Sequence, residues 1–429
     1  MKKSTKALLN FLTQSPTPFH AVENMCQSLD KAGFKALHEE KDWGKLPKGR
    51  YYVCRNGSSL IAFTWSGKPE KLGFRMVGAH TDSPCLKVKP NAISVSQGYA
   101  RLALEVYGGV LLAPWFDRDL GLAGRVSYAD SKGNLQSCLV DFDWPIAFIP
   151  SLAIHLDREV NDRRSINKQT DLPAVLCKVG SNPPDFHGLL KAQIKKQHGN
   201  QSIARILGFE LGLYDLQPAA VVGLEHEFIA SARLDNLLSC HASIEALIAS
   251  KTADNALVVM TDHEEVGSAS TSGAEGPFLQ NVLARLCQDE PTLQLALRHS
   301  ILVSADNAHG VHPNFADRHE PAHRPMINAG PVIKINHNQR YATNSETEAT
   351  FREICYQHKL PVQSVVVRTD MGCGSTIGPI TATKLGVATV DIGVPQLGMH
   401  SIRELAGVED QDTLRKSLIG LFKSQPKVY

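Results

Sequence analysis

Thr261-Asp262-His263-Glu264-Glu265-Val266-Gly267-Ser268 follows directly on the apolar run Ala256-Leu257-Val258-Val259-Met260. The run reads as a fully buried strand, being short, unbroken and valine-rich. Two adjacent carboxylates and a histidine at its end are costly, because a buried charge must be paired, neutralised by a proton or bound to a metal. Neighbours on an extended chain point to opposite sides. Glu264 and Glu265 are therefore expected to do different work, one holding a metal and the other facing a reacting water. Taken alone, the octapeptide reads more plainly as a solvated turn.

Outward from this stretch the pattern recurs. Met76-Val77-Gly78-Ala79 leads into His80, and Ile301-Leu302-Val303-Ser304-Ala305 into Asp306. Val387 to Ile392 leads through a loop to His400, and Asp235 opens the helix after Ser231-Ala232-Arg233-Leu234. Open α/β sheets bind ligands beyond the carboxyl ends of their strands. Four segments therefore deliver His, Asp or Glu to one rim, with Asp235 a fifth. Oxygen and nitrogen donors without thiolate suit zinc, manganese or cobalt in a catalytic site. Two histidines and three carboxylates could hold two divalent ions, one carboxylate bridging. Such ions bring water to a pKa of about 7, and a free carboxylate beside it can take the proton. In His80-Thr81-Asp82, the aspartate can orient the ring.

Other motifs carry less. His309, His312, His319 and His323 offer a rival metal site but read as a solvated loop. Met371-Gly372-Cys373-Gly374-Ser375-Thr376 lacks the Gly-Lys-[Ser/Thr] ending of a phosphate loop. No partner histidine can be placed near Cys373 to make it a nucleophile.

The 429 residues leave room for two to three domains. With 43% hydrophobic and 21% charged residues the composition is that of a soluble globular protein. A formal charge of +2 and the lack of a Lys/Arg-rich block argue against nucleic acid. Nine scattered cysteines without a Cys-x-x-Cys pair point to a reducing compartment, hence the cytoplasm. No signal peptide and no membrane span is expected.

Helices are expected at 5–13 and Phe19 to Ala32, and strands at Tyr51 to Arg55, Ser59 to Trp65 and Phe74 to Ala79. Alternation at Leu102 to Tyr107 and the turn Asp130-Ser131-Lys132-Gly133-Asn134 between Arg125 to Tyr128 and Leu135 to Val140 mark a β-rich stretch. Ser181 to Gln201 reads as polar, Pro- and Lys-rich connecting material. Beyond it follow a helix from Leu234 to Ser250, strands at 256–260, 301–305 and 331–335, a helix from Phe351 to His358, a strand from Val365 to Arg368 and a closing helix from Asp410 to Phe422. The reading is an α/β fold, a mixed sheet flanked by helices. Residues 1–90 and 225–429 form the catalytic α/β domain, interrupted by a β-rich inserted domain at 91–224.

Six ordered motifs carry a family resemblance. Gly78-Ala79-His80-Thr81-Asp82-Ser83-Pro84, Arg233-Leu234-Asp235-Asn236, Glu264-Glu265-Val266-Gly267-Ser268, Ser304-Ala305-Asp306, Met371 to Pro379 and Met399-His400-Ser401-Ile402-Arg403-Glu404 resemble the aspartyl aminopeptidases, which are co-catalytic metallo-aminopeptidases. The resemblance implies a zinc-aminopeptidase-like fold and removal of N-terminal Asp or Glu from short peptides. It implies one ion on His80, Asp235 and Asp306, and another on Asp235, Glu265 and His400. Glu264 would be the general base and Asp82 the orienter of His80, and the Asp235–Asn236 peptide would be cis. His155, in Ala153-Ile154-His155-Leu156, would reach a neighbouring subunit's site; the residues alone read as strand. His309, Lys334 and Tyr341 would contact substrate, Lys334 meeting the acidic side chain. A tetrahedral dodecamer of dimers is the implied assembly. Two rivals remain open: a broad-specificity metallo-aminopeptidase or other dinuclear amide hydrolase, and a non-enzymatic, metal-stabilised shell.

Overall fold

The computed structural model describes residues 1–180, 182–199, 201–252 and 254–424. The chain divides into two compact units, Met1–Ser83 with Ala219–Met399 and Glu404–Tyr429, and Pro84–Pro218 with His400–Arg403.

The first unit opens with helices α1 (Lys3–Thr13) and α2 (Pro18–Lys31), then strands β1 (Lys35–Leu37), β2 (Gly49–Arg55) and β3 (Ser59–Trp65), a short helix α3 (Pro69–Leu72) and β4 (Arg75–His80). Helix α1 buries Leu8, Phe11 and Leu12 on one stripe, the spacing that marks an amphipathic helix.

The second unit holds β5 (Cys85–Ser96), β6 (Tyr99–Tyr107), β7 (Leu120–Ala129), β8 (Leu135–Ala147), β9 (Ala174–Lys178), helix α4 (Phe186–His198) and β10 (Arg205–Asp215). Its strands form one antiparallel sheet in the order β8-β7-β10-β5-β6-β9. Asp130 builds the β7–β8 turn by accepting the backbone N–H of Lys132 at 2.8 Å and of Asn134 at 2.9 Å. Helix α4 lies in what the lysines and prolines made look like connecting material; Ser181 itself lies outside the described residues. Phe186, Leu190 and Ile194, four residues apart, make the buried stripe, and Lys195, Lys196 and His198 complement the carbonyl end.

The first unit resumes with β11 (Ala220–Val222), β12 (Phe228–Ser231), α5 (Leu234–Ser250), β13 (Ala256–Thr261), α6 (Phe278–Cys287), α7 (Glu290–Arg298), β14 (Ile301–Ala305), β15 (Ala308–His309) and β16 (Val332–Lys334). Helix α8 (Ser345–Gln357), β17 (Gln363–Val365), α9 (Ile377–Leu385), β18 (Ala388–Gly393), β19 (Pro395–Leu397), β20 (Glu404–Gly407) and α10 (Val408–Lys423) complete it. Strand β17 stops at Val365, short of the expected Arg368.

Nine strands make a mixed sheet in the order β1-β2-β3-β13-β4-β14-β18-β16-β17. Its centre, β13, β4, β14 and β18, is parallel. All residues of β3, β4, β13 and β14 are buried, which is why these strands read as unbroken apolar runs. Alternate side chains face two cores. Val77, Val258 and Val303 pack with α1, α2, α5 and α10 residues such as Leu12, Leu29, Leu238 and Leu418. Met76, Val259 and Leu302 pack with Phe278, Leu283 and Leu297 of α6 and α7. The expected α/β fold with a mixed sheet flanked by helices is the one observed. Among the described residues no helix is long and apolar enough to cross a membrane.

Candidate metal centre

Strand register brings the rim residues level. Thr261 of β13 pairs with His80 of β4. On the other side Ser304 of β14 pairs with Gly78, so Asp306, two residues on, comes level with His80. Gly393 at the end of β18 lets the chain pass closely: a Cβ there would sit 2.0 Å from the Asp306 carbonyl.

Glu264–Val266 form a 3-10 turn between His263 (φ 63) and Gly267 (φ 96), not the extended chain expected. The reason is Asp82, whose two carboxylate oxygens accept the backbone N–H of Glu264 and of Glu265, each at 3.1 Å. The turn sends both glutamates to the same pocket rather than to opposite sides. Asp82 also meets His80 Nδ1, by its carbonyl at 3.0 Å and its carboxylate at 3.4 Å. His263 turns away, its Nδ1 2.9 Å from Ser270 Oγ.

Asp235 enters from the first turn of α5, which is not helical there (φ −82, ψ 108). The Asp235–Asn236 peptide is cis. Glu404 accepts the Asp235 N–H at 3.0 Å, Ser83 Oγ donates to its carbonyl at 2.6 Å, and the Asn236 amide donates to the Ala305 carbonyl at 2.8 Å.

His80 Nε2 is the hub. It lies 3.4 Å from Asp235 Oδ1, 3.7 Å from Asp306 Oδ1 and 3.9 Å from Glu264 Oε2. Among the described residues, one group of three candidate metal-binding side chains converges within 4.8 Å: His80, Asp235 and Glu265. Asp306 Oδ2 is paired with the Lys334 ammonium at 3.2 Å, and Lys334 stands 5.5 Å from the Tyr341 ring centre.

The electrostatics show how much charge is crowded here. Burial, then the charge of Asp235, pushes the Glu265 carboxyl up to about 10. Burial, then Asp306 and Asp235, pushes Glu264 up to about 7 against the pull of His80. Burial opposes charge on His80, yet Asp235, Asp306 and Asp82 together hold its pKa well above the usual imidazole value. Burial would also raise Asp306, but Lys334 and His80 hold it below the usual carboxylate range. Five carboxylates thus share His80 and Lys334 as their cations. Oxygen and nitrogen donors converging with surplus negative charge are what a divalent cation requires, so these residues fit a metal.

Of the sequence-predicted residues, His80, Asp82, Asp235, Glu264, Glu265 and Asp306 come together at this rim, with Lys334 and Tyr341 on its Asp306 side. His309 ends β15 and is exposed. His155 and His400 belong to the second unit. His155 lies in an exposed turn rather than a strand. His400 has a left-handed backbone (φ 66), and its Nδ1 is 3.1 Å from the Gly109 carbonyl. Among the described residues, the histidines of 309–323 belong to no converging group of metal-binding side chains; His319 Nε2 accepts the His312 N–H at 3.2 Å. The sequence reading assigned no role to Glu404, a buried acid that holds Asp235 through its backbone. Its signal was slight, a lone acid at the start of a short strand.

The family description "Aminopeptidase I zinc metalloprotease (M18)" matches residues 11–422. The chain belongs to the M18 aminopeptidase family. A probable M18 family aminopeptidase 2 of Stutzerimonas stutzeri (strain A1501) is 56% identical over 421 residues, 98% of each chain. Among solved structures, the aminopeptidase family fold recurs in the Ape4 and Nbr1 complex, with TM-score 0.94 and 38% identity over 98% of this chain and 85% of that one. The S. cerevisiae mApe1 dodecamer matches with TM-score 0.85 and 29% identity, over 99% of this chain and 97% of that one. The protein is accordingly a peptide hydrolase, a metal-dependent aminopeptidase, and the rim of the mixed sheet is its candidate active site.

Proposed function

We propose that this M18 aminopeptidase uses two divalent ions to remove N-terminal aspartate or glutamate from short peptides. The observation that carries the reading is the buried Lys334 ammonium, 3.2 Å from Asp306 and adjoining the His80, Asp235 and Glu265 group. A buried cation at the edge of a peptide-hydrolase site is a natural partner for an acidic first side chain. His80, Asp235 and Asp306 would hold one ion. Asp235, Glu265 and His400 would hold the other, the part of His400 resting on sequence resemblance. Zinc is the proposed metal, with manganese or cobalt as substitutes. Bound there, the ions would polarise the first peptide carbonyl and acidify water.

Glu264 takes the proton of the attacking water and returns it to the departing amine. Asp82 holds the turn that aims Glu264. Tyr341 and His309 line the substrate's path, and exposed His155 reaches a neighbouring copy. The second unit serves dimerisation, and dimers build a tetrahedral dodecamer in the cytoplasm. The dodecamer of the yeast relative supports this assembly, and nine scattered cysteines without a Cys-x-x-Cys pair support a reducing compartment.

One observation favours a broad-specificity enzyme instead: Lys334 is already engaged by Asp306, so its charge can serve the metal site rather than the substrate. Hydrolysis of dipeptides beginning with Asp, Glu, Leu or Lys, as purified, after chelation and after adding back zinc, manganese or cobalt, separates the two. Metal-restored activity confined to Asp and Glu is the expected result. Metal-dependent cleavage led by Leu would discard the acidic preference and keep the chemistry.

A further inference from the structure

Asp391 is a fully buried carboxylate on β18, outside the metal cluster. Its Oδ1 accepts the Thr376 hydroxyl at 2.6 Å, and its Oδ2 accepts the Ala342 backbone N–H at 2.6 Å. Its own N–H donates to Thr343 Oγ1 at 2.9 Å. The carboxylate also lies against bare backbone at the start of α9. A Cβ on Gly378 would stand 2.3 Å from Oδ1 and 2.4 Å from Oδ2.

These contacts join two segments, the first of which stands beside Lys334. One is 341–343, which begins with the tyrosine 5.5 Å from the Lys334 ammonium. The other is the glycine-rich loop ending at Thr376, which caps α9 by accepting the Gly378 N–H. The segments also meet directly, Arg340 Nε donating to the Cys373 carbonyl and Ser375 Oγ to the Arg340 carbonyl, both at 3.3 Å. Gly372, Gly374 and Ser375 give that loop little rigidity of its own. Its place is set where Thr376 meets Asp391. Strand β16, which carries Lys334, pairs with β18, which carries Asp391, through Ile333 and Ile392, so adjacent paired strands hold the lysine and the carboxylate.

We propose that Asp391 is a positioning residue for substrate selection: its carboxylate fixes Tyr341 and the 371–376 loop around Lys334, and so sets the affinity for peptides with an acidic first residue. The proposal rests on the acidic-peptide reading above. The Asp391 hydrogen bonds to Ala342, Thr343 and Thr376 reach none of the residues proposed to hold the ions, so its loss is felt in KM before kcat.

Asp391→Asn keeps the acceptor for Thr376 but turns an NH2 toward the Ala342 N–H. Thr376→Val removes the hydroxyl from the other side, and Thr376→Ser restores it. KM and kcat are measured for Glu-first and Leu-first dipeptides, with zinc content and thermal midpoint for each variant. Losing one hydrogen bond to a charged acceptor corresponds to about tenfold or more. The expected result is a KM for the Glu-first peptide raised about tenfold in Asp391→Asn and Thr376→Val, with kcat and zinc content close to wild type and Thr376→Ser near normal. Folded, zinc-loaded variants with unchanged KM overturn the proposal, as does an equal fall in kcat for both peptides. If Asp391→Asn does not fold, the Thr376 pair decides by the same criteria. A wild type without acidic preference overturns the underlying reading, and the proposal with it, before any variant is made. A wild type that prefers Glu with variants that match it overturns the proposal alone.

Discussion

Asp82→Asn asks whether one carboxylate aims both glutamates. In the wild type each carboxylate oxygen accepts one backbone N–H, from Glu264 and from Glu265, both at 3.1 Å. A hydrogen bond to a charged acceptor contributes roughly 1.5–3 kcal/mol and a neutral one about 1 kcal/mol. Asparagine keeps one neutral bond and opposes the second N–H with its own NH2. The net deficit is on the order of 2–5 kcal/mol, two charged bonds less the neutral one retained. Each 1.36 kcal/mol is about tenfold, so the loss amounts to roughly 30-fold at least, divided between metal affinity and turnover. His80 should stay anchored, because its Nδ1 also meets the Asp82 carbonyl at 3.0 Å. The assay is zinc titration of metal-stripped protein by calorimetry, followed by kcat on a Glu-first dipeptide at saturating zinc. A folded variant whose zinc affinity and kcat both stay within about threefold of wild type would refute the reasoning.

Glu264→Gln retains the backbone N–H that meets Asp82 and changes only the charge. It should keep its metal and lose about 100- to 10,000-fold in kcat, the usual worth of a positioned base; metal analysis and steady-state kinetics check this, and normal turnover would end the assignment. Lys334→Ala should raise KM for Asp- and Glu-first peptides by about tenfold or more while harming Leu-first peptides less. Equal losses on the substrate panel would return Lys334 to the role of a counter-ion for Asp306. Acid lability should follow from buried His241, which packs 5.3 Å from Phe11 and whose pKa burial lowers to about 4. The folded pKa lies below the unfolded one, so below pH 6.5 the unfolded chain gains a proton that the folded chain refuses. Stability is therefore retained above pH 6.5 and lost as pH falls toward 4, by about 2 kcal/mol at pH 5 from this residue. Denaturant midpoints at pH 7 and pH 5 test it: His241→Phe should show a smaller drop than wild type, and an identical drop would be evidence against it.

Much of the site was legible because the fold announces it. Strands buried on both faces appear as unbroken apolar runs, so β4, β13 and β14 could be read directly, and the polar residue following each marks the rim. His80 and Asp306 needed only that argument. Asp235, at the start of a helix, could be placed as a candidate fifth, and Lys334 drew notice only through family resemblance. Helix α4 was missed because lysines and prolines surround a stripe of only a few apolar residues. The 3-10 turn at Glu264 was missed because its cause, Asp82, lies 182 positions away.

The amino-acid sequence by itself determined the elements and the chemical types available. Apolar periodicity depends only on local spacing, and His, Asp and Glu carry their donors wherever they are placed. Which donors converge was decided by tertiary structure, because strand register and long-range hydrogen bonds set distances that spacing along the chain does not contain. Glu404 behind Asp235, Lys334 against Asp306, and Asp391 between Ala342 and Thr376 are all of this kind. Each is a buried polar group that needed a partner, and folding alone supplied one.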